Sequence, residues 1–263
     1  MKKRFLYTIL LIGISFIFYY VNIYLDQNLL KDSTNHTKIF DEFLPSSTSG
    51  VVISRQHYTF SYREDHEQAE WVMYTLSNDR ISKNQYDRPY FEKDPYVLTE
   101  SADWRNYKNS GYERGHLCPA GDMKFNYDAF KDTFYTSNIA PQSSRFNGGI
   151  WNSLEQKIRS LAKKKKELII VTGGVLSDNL QTIGYEGVSV PKFYYKILLS
   201  LNTDYEAIAF LIPQDYKSND LKSYVTTIDK IEEYTGIDFF ENLNKQKQKE
   251  LESDIMLKNW DLD

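Results

Sequence analysis

Residues 5–25 carry no charged side chain, and Lys2, Lys3 and Arg4 stand directly before them. As a helix these 21 residues would span roughly 30 Å, the thickness of a bilayer's hydrocarbon core. A stretch apolar on every face has no side to turn to water, so it cannot serve as an ordinary surface helix of a globular fold. Cations precede it and the first acid, Asp26, follows it, which places the N-terminus in the cytoplasm and the rest of the chain outside. The preferred reading is an uncleaved, single-pass signal anchor in the cytoplasmic membrane. Cleavage and secretion is the alternative, but it calls for a shorter apolar run of about 7 to 15 residues and a small-residue site. This run ends Tyr24-Leu25. Residues 26–50 follow as a polar tether, with Asp32-Ser33-Thr34-Asn35 and a Pro-Ser-Ser-Thr-Ser-Gly stretch at 45–50.

Residues 51–263 are then left to fold as one domain, a usual size for a mixed α and β enzyme. Hydrophobic residues make up 41 % and charged residues 26 % of the chain, which excludes disorder and low-complexity architectures. The single cysteine, Cys118, excludes an intrachain disulfide framework and a Cys-rich zinc ribbon. Aromatic or alternating runs at 57–62, 71–76, 134–139, 168–172, 193–201 and 207–212 predict strands, mostly antiparallel because few long helices separate them. Between 147 and 167 the period changes. Ile150, Trp151, Leu154, Ile158 and Leu161 recur at helical spacing, opened by Gly148-Gly149 and closed by the cations Lys163 to Lys166. A second helix is expected over 219–234, stopped at Gly236. Runs of strands with few, segregated helices define an α+β class.

Chemistry concentrates in the loop-like segment 111–123, where Glu113-Arg114-Gly115-His116 stands close to Asp122. Downstream come Ser137-Asn138, then Asn147-Gly148-Gly149, then Glu155 and Arg159. Read as chemistry, these supply a base (His116), a neutral oxygen ligand (Asn147), an acid (Glu155) and two guanidiniums (Arg114, Arg159). Asn138 is read as a supporting residue, either a metal-site neighbour or a side chain bonded to backbone. Cys118 is read as a packed thiol.

The string Glu113-Arg114-Gly115-His116, followed at this spacing by Asn147, Glu155 and Arg159, resembles the DNA/RNA non-specific endonuclease family, which includes the endonuclease G group. The resemblance implies a ββα-metal nuclease fold, with a central, mainly antiparallel sheet flanked by helices. It implies that His116 is the general base and that Asn147 is the one direct protein ligand of Mg²⁺, with Mn²⁺ as a substitute. By the same carry-over Glu155 organises water around the metal, and Arg114, Arg159 and Arg88 serve the phosphate. Arg88 is matched only through its setting before Asp94-Pro95. The family's usual Asp is here Glu113, one methylene longer. The implied activity is hydrolysis of DNA and RNA with little sequence preference, leaving 5'-phosphates.

Elementary chemistry agrees with that carry-over. Phosphodiester hydrolysis needs an activated water and charge stabilisation on phosphate. Mg²⁺ keeps several waters, so one Asn is a sufficient anchor. Asn147 and Glu155, eight residues apart, would lie ~12 Å apart along a helix, so Asn147 is expected to precede the helix and Glu155 to act through water. Glu155 and Arg159 share a helix face and can pair with each other. Residues 104–167 hold twelve Lys or Arg against six Asp or Glu, so this stretch carries +6 within a chain of net charge −4. A polyanion would be drawn there. An inactive extracellular nucleic-acid-binding protein and a phosphodiesterase for small substrates are the competing functional readings.

Overall fold

The computed structural model describes residues 41–201 and 205–262. Packing divides the chain into two units, Met1–Leu44 and Pro45–Asp263, and all strands and helices named here belong to the second. The apolar segment 5–25 and the greater part of the 26–50 stretch lie outside the described residues; among the described residues no helix is long and apolar enough to cross a membrane.

In chain order the strands are β1 (Val51–Ser54), β2 (Tyr58–Arg63), β3 (Gln68–Ser77), β4 (Glu113–His116), β5 (Ile139–Gln142), β6 (Glu167–Gly174), β7 (Thr182–Ile183), β8 (Val188–Ser189), β9 (Phe193–Ser200), β10 (Glu206–Pro213) and β11 (Val225–Thr226). The helices are α1 (Tyr127–Asp132), α2 (Asn152–Lys165), α3 (Ile228–Thr235) and α4 (Lys245–Ser253). Seven strands form one antiparallel sheet in the order β1-β2-β3-β6-β9-β10-β11. The central strands β3, β6 and β9 are buried along almost their whole length, as expected for a sheet covered on both faces. On one face Val72, Tyr74, Leu76, Ile170 and Leu198 share a core with Leu154, Ile158 and Leu161 of α2. On the other, the Tyr195 ring meets Phe239 at 5.7 Å.

Outside this sheet, β4 and β5 form an antiparallel pair with Glu113 opposite Gln142 and His116 opposite Ile139. The chain then turns through Ser144–Phe146 and a π-helical turn, Asn147–Trp151, directly into α2. Gly149 breaks the helical path there (φ −100°, ψ −112°), and a Cβ on it would run into the Tyr216 hydroxyl. The local plan is therefore strand, strand, helix, packed against the large sheet.

Four sequence expectations are corrected. The segment 134–139 is not a strand: Thr136–Asn138 is a 3-10 turn, because the Asn138 side chain bonds backbone groups elsewhere, and β5 begins only at Ile139. The 219–234 helix is divided. The Asp220 side chain caps a 3-10 turn, Leu221–Tyr224, β-branched Val225 and Thr226 pair with β10, and α3 starts after its own cap, Thr227. Residues 113–116, read as loop, form β4. The helix expected to open at Gly148-Gly149 has a preceding turn from Ser144, so Asn147 has helical backbone angles (φ −60°, ψ −52°) but stands before the break at Gly149. At the polar N-terminal stretch, Ser47 Oγ and Thr48 Oγ1 donate to the Glu70 carboxylate at 2.8 and 2.6 Å, and Trp71 Nε1 donates to the Ser46 carbonyl at 2.9 Å.

Candidate active site

β4 places alternate side chains on a bed of aromatic rings. His116 lies edge-on to Phe134 (5.1 Å between centroids) and 5.7 Å from Phe91. The Arg114 guanidinium stands 4.6 Å over Phe91, and Arg88 lies 5.4 Å from Phe134 and 5.7 Å from Phe91. Cation–π contact holds both guanidiniums without neutralising them. Gly115, between Arg114 and His116, faces the Gln142 side chain so closely that a Cβ would collide with it.

Burial and the nearby charges of Arg88 and Arg114 push the His116 pKa down to about 3, so the ring is neutral at pH 7. Its Nε2 is buried with no hydrogen-bond partner among the described residues. A buried, unsatisfied imidazole nitrogen is unusual and calls for a ligand or water. The backbone that follows is fixed by Asn138, whose Oδ1 accepts from Cys118 N at 2.8 Å and whose Nδ2 donates to the carbonyls of Cys118 (2.9 Å) and Thr133 (3.0 Å). Asn138 is thus a support for the His116 strand end, with its amide engaged at both ends. Cys118 is a buried free thiol.

A cleft of about 450 Å³ is lined by Arg88, Trp104, Lys108, Glu113, Arg114 and Asn147, among others. Asn147 Nδ2 donates to Glu113 Oε2 at 2.7 Å, and Ser144 Oγ donates to Glu113 Oε1 at 2.6 Å. Those two bonds hold the Glu113 carboxyl below the usual carboxylate range. The amide oxygen of Asn147 and the carboxylate of Glu155 are hard donors of the kind divalent Mg²⁺ takes, while the one thiol is buried. By their chemistry these two side chains suit a hard cation rather than zinc.

Glu155 and Arg159, four apart on α2, attract each other but form no ion pair among the described residues. Arg159 Nη1 donates to Asp122 Oδ1 at 2.6 Å, and Tyr74 Oη donates to Asp122 Oδ2 at 2.9 Å. Asp122 is almost fully buried, at 1 % side-chain exposure, and Arg159 retains 22 %. Near them, fully buried Lys196 of β9 donates to the Leu117 carbonyl and to Thr172 Oγ1, both at 3.2 Å, and lies 4.5 Å from the Trp151 ring. Burial raises Glu155 to about 7, opposed by the attraction of Lys196; burial likewise lowers the lysine.

Glu113, Asp122, Lys196, Lys108 and the aromatic bed of Phe91 and Phe134 were not assigned roles from sequence. Lys196 alone left a signal, a single cation inside the apolar strand Phe193–Ser200. Of the cations that give residues 104–167 their positive excess, Arg105, Arg159, Lys164 and Lys165 are ion-paired. The positive face at the cleft comes from Arg88, Lys108 and Arg114.

A two-strand-and-helix corner bearing a histidine, an asparagine amide in the cleft and unpaired guanidiniums has the make-up of a metal-assisted phosphodiester hydrolase. Residues 35–246 match the family model of DNA/RNA non-specific endonucleases, and the chain belongs to that family. It is 31 % identical over 246 residues to the mitochondrial nuclease EXOG of Danio rerio, covering 87 % of this chain and 71 % of that protein. With the mitochondrial nuclease of Saccharomyces cerevisiae it shares 30 % identity over 223 residues, 75 % of this chain and 68 % of that one. Among solved structures it is similar to EndoG in complex with EndoGI, with a TM-score of 0.72 and 27 % identity, covering 80 % of this chain and 93 % of that chain. It is accordingly an endonuclease, a hydrolase of nucleic acid with a mixed α and β fold like that of EndoG.

Proposed function

We propose that the chain is a Mg²⁺-dependent endonuclease that cleaves DNA and RNA with little sequence preference, using His116 as general base. The observation that carries this reading is the convergence on one corner of a neutral His116 with an unsatisfied Nε2, Asn147 in the cleft, and Arg88 and Arg114 held over rings. Asn147 and, through water, Glu155 would hold the cation. When bound, Mg²⁺ supplies Lewis-acid stabilisation of the charge that builds on phosphate.

In this reading Arg88 and Arg114 bind and orient the phosphate, and Arg159, held by Asp122, offers it the remaining N–H groups. His116 Nε2 takes the proton from the attacking water as its oxygen bonds phosphorus. The bond from phosphorus to O3' breaks, and the leaving oxygen is protonated from solvent, giving a 5'-phosphate and a 3'-hydroxyl. Burial is the larger cause of the depressed His116 pKa; a phosphate beside Arg88 and Arg114 would offset the smaller part that comes from their charges. Contacts to phosphate rather than to base edges give sequence tolerance.

The decisive experiment is digestion of plasmid DNA, RNA and a chromogenic phosphodiester by the full-length chain, with and without EDTA. Cleavage of both polymers that EDTA abolishes is expected. Cleavage of the chromogenic ester alone, or activity indifferent to EDTA, would contradict the reading. We further propose that residues 5–25 hold this domain on the extracytoplasmic side of the membrane, on the strength of their length and the preceding cations. Carbonate-resistant sedimentation with membranes and digestion by external protease are expected; recovery of a shortened soluble form would overturn the anchor.

A further inference from the structure

We infer that Glu113 is a positioning residue that decides which end of the Asn147 side chain faces the cleft, so that the amide oxygen and not the amide nitrogen is presented to the cation. The inference rests on the reading of Asn147 as the metal ligand. The two ends of an Asn amide are nearly equal in size, so packing does not select between them. Only the oxygen can ligate a hard cation. Glu113 makes the selection by chemistry: an ionised carboxylate accepts hydrogen bonds and cannot donate them, so the Asn147 group facing it must be the NH₂. That bond is the 2.7 Å contact from Nδ2 to Oε2.

The carboxylate is itself held in place. Its other oxygen accepts from Ser144 Oγ at 2.6 Å, in the turn that leads to Asn147. Glu113 can reach this turn because it lies opposite Gln142, the last residue of β5, directly before the chain leaves the strand. The β4–β5 register thus couples the strand that carries His116 to the orientation of the ligand on the following turn.

The test is Mn²⁺ binding to the full-length chain without nucleic acid, read from the EPR signal of free Mn²⁺, for N147A, E113Q and E113Q/N147D. The E113Q amide can donate or accept, so Asn147 is free to flip, and affinity should fall by about 10-fold, the low end for a residue orienting a ligand. In E113Q/N147D the new carboxylate accepts from the amide and keeps an oxygen for the metal, so affinity should return to at least the wild-type value. Wild-type affinity in E113Q beside weakened N147A would overturn the inference and leave the ligand reading standing. Unchanged affinity in N147A would remove the ligand reading and this inference with it. A long-range charge effect is separated by repeating the titration at about 1 M salt, where screening is short-ranged: a loss in E113Q that vanishes there overturns the inference. Should E113Q fold poorly, Ser144→Ala, which frees the other Glu113 oxygen, is expected to weaken Mn²⁺ binding in the same direction, and no change there would count against it.

Discussion

Two charge clusters share the β4–β5–α2 unit, and they are built in opposite ways. In the cleft, Arg88 and Arg114 lie over aromatic rings and make no ion pair among the described residues, while Glu113 is tied to Ser144 and Asn147. In the second cluster, Asp122 takes Arg159 and the Tyr74 hydroxyl, and Lys196 sits fully buried with its charge facing Glu155 and Asp122. A guanidinium left uncompensated is free to take the full charge of a phosphate when substrate arrives. Charges that hold a fold together must be compensated beforehand, because an unpaired buried charge costs several kcal/mol. The difference separates Arg88 and Arg114, whose loss should slow cleavage, from Asp122, whose loss should unfold the corner.

Cleavage should be most sensitive to change beside the cleft. His116→Ala should slow plasmid cleavage by ~10² to 10⁴ while thermal unfolding stays close to wild type; a near-normal rate at pH 7 would remove the base from His116. In the buried cluster the sign of the comparison reverses. Asp122→Ala strands Arg159 and the Tyr74 hydroxyl, and should cost about 3 kcal/mol of unfolding free energy, measured by urea denaturation. Unaltered stability would show that Asp122 is not a structural anchor.

A pH profile sharpens the contrast between the two. Burial raises Glu155 to about 7, and the positive charge of Lys196 pulls in the other direction. Lys196→Met removes that pull, so the Glu155 carboxylate forms only at higher pH. If ionised Glu155 is the working form, the acid limb of the rate profile should move to higher pH, with a greater loss at pH 6 than at pH 8. An unmoved limb with a uniformly lower rate would make Lys196 purely structural. A smaller effect concerns ionic strength. Duplex DNA binding by His116→Ala should weaken steeply between low and physiological salt if the cleft cations Arg88, Lys108 and Arg114 take phosphates as proposed, and a flat response would argue against phosphate-dominated binding.

The cleft cluster was far more legible in the sequence than the buried one. Glu113, Arg114 and His116 are consecutive enough to read as a motif, and Asn147, Glu155 and Arg159 follow at a spacing set by one turn and one helix. Asp122 and Lys196 meet through tertiary packing across 74 residues of chain, so no local pattern links them. Asn138 shows the same limit. Its neighbours Phe134 and Ile139 have strand propensity, yet its amide is committed to the backbone of Cys118 and Thr133, and a 3-10 turn results. Here tertiary hydrogen bonds override the local strand propensity. By contrast α2 was readable throughout, because its apolar stripe, Leu154, Ile158 and Leu161, meets the sheet as the period requires. The divided 219–234 region lacked that guide: Val225 and Thr226 join β10 instead.

That the unpaired guanidiniums of the cleft serve the reaction, while Asp122 and Lys196 hold the fold around Arg159 and Glu155, is put to the test by Arg114→Ala. Single-turnover cleavage of a short duplex and thermal unfolding are measured on the same preparation. A rate lower by ~10² to 10³, the usual scale for losing one group that stabilises transition-state charge, with a melting temperature unchanged, is the predicted result. Wild-type cleavage, or a loss of rate that tracks a loss of stability, would contradict it.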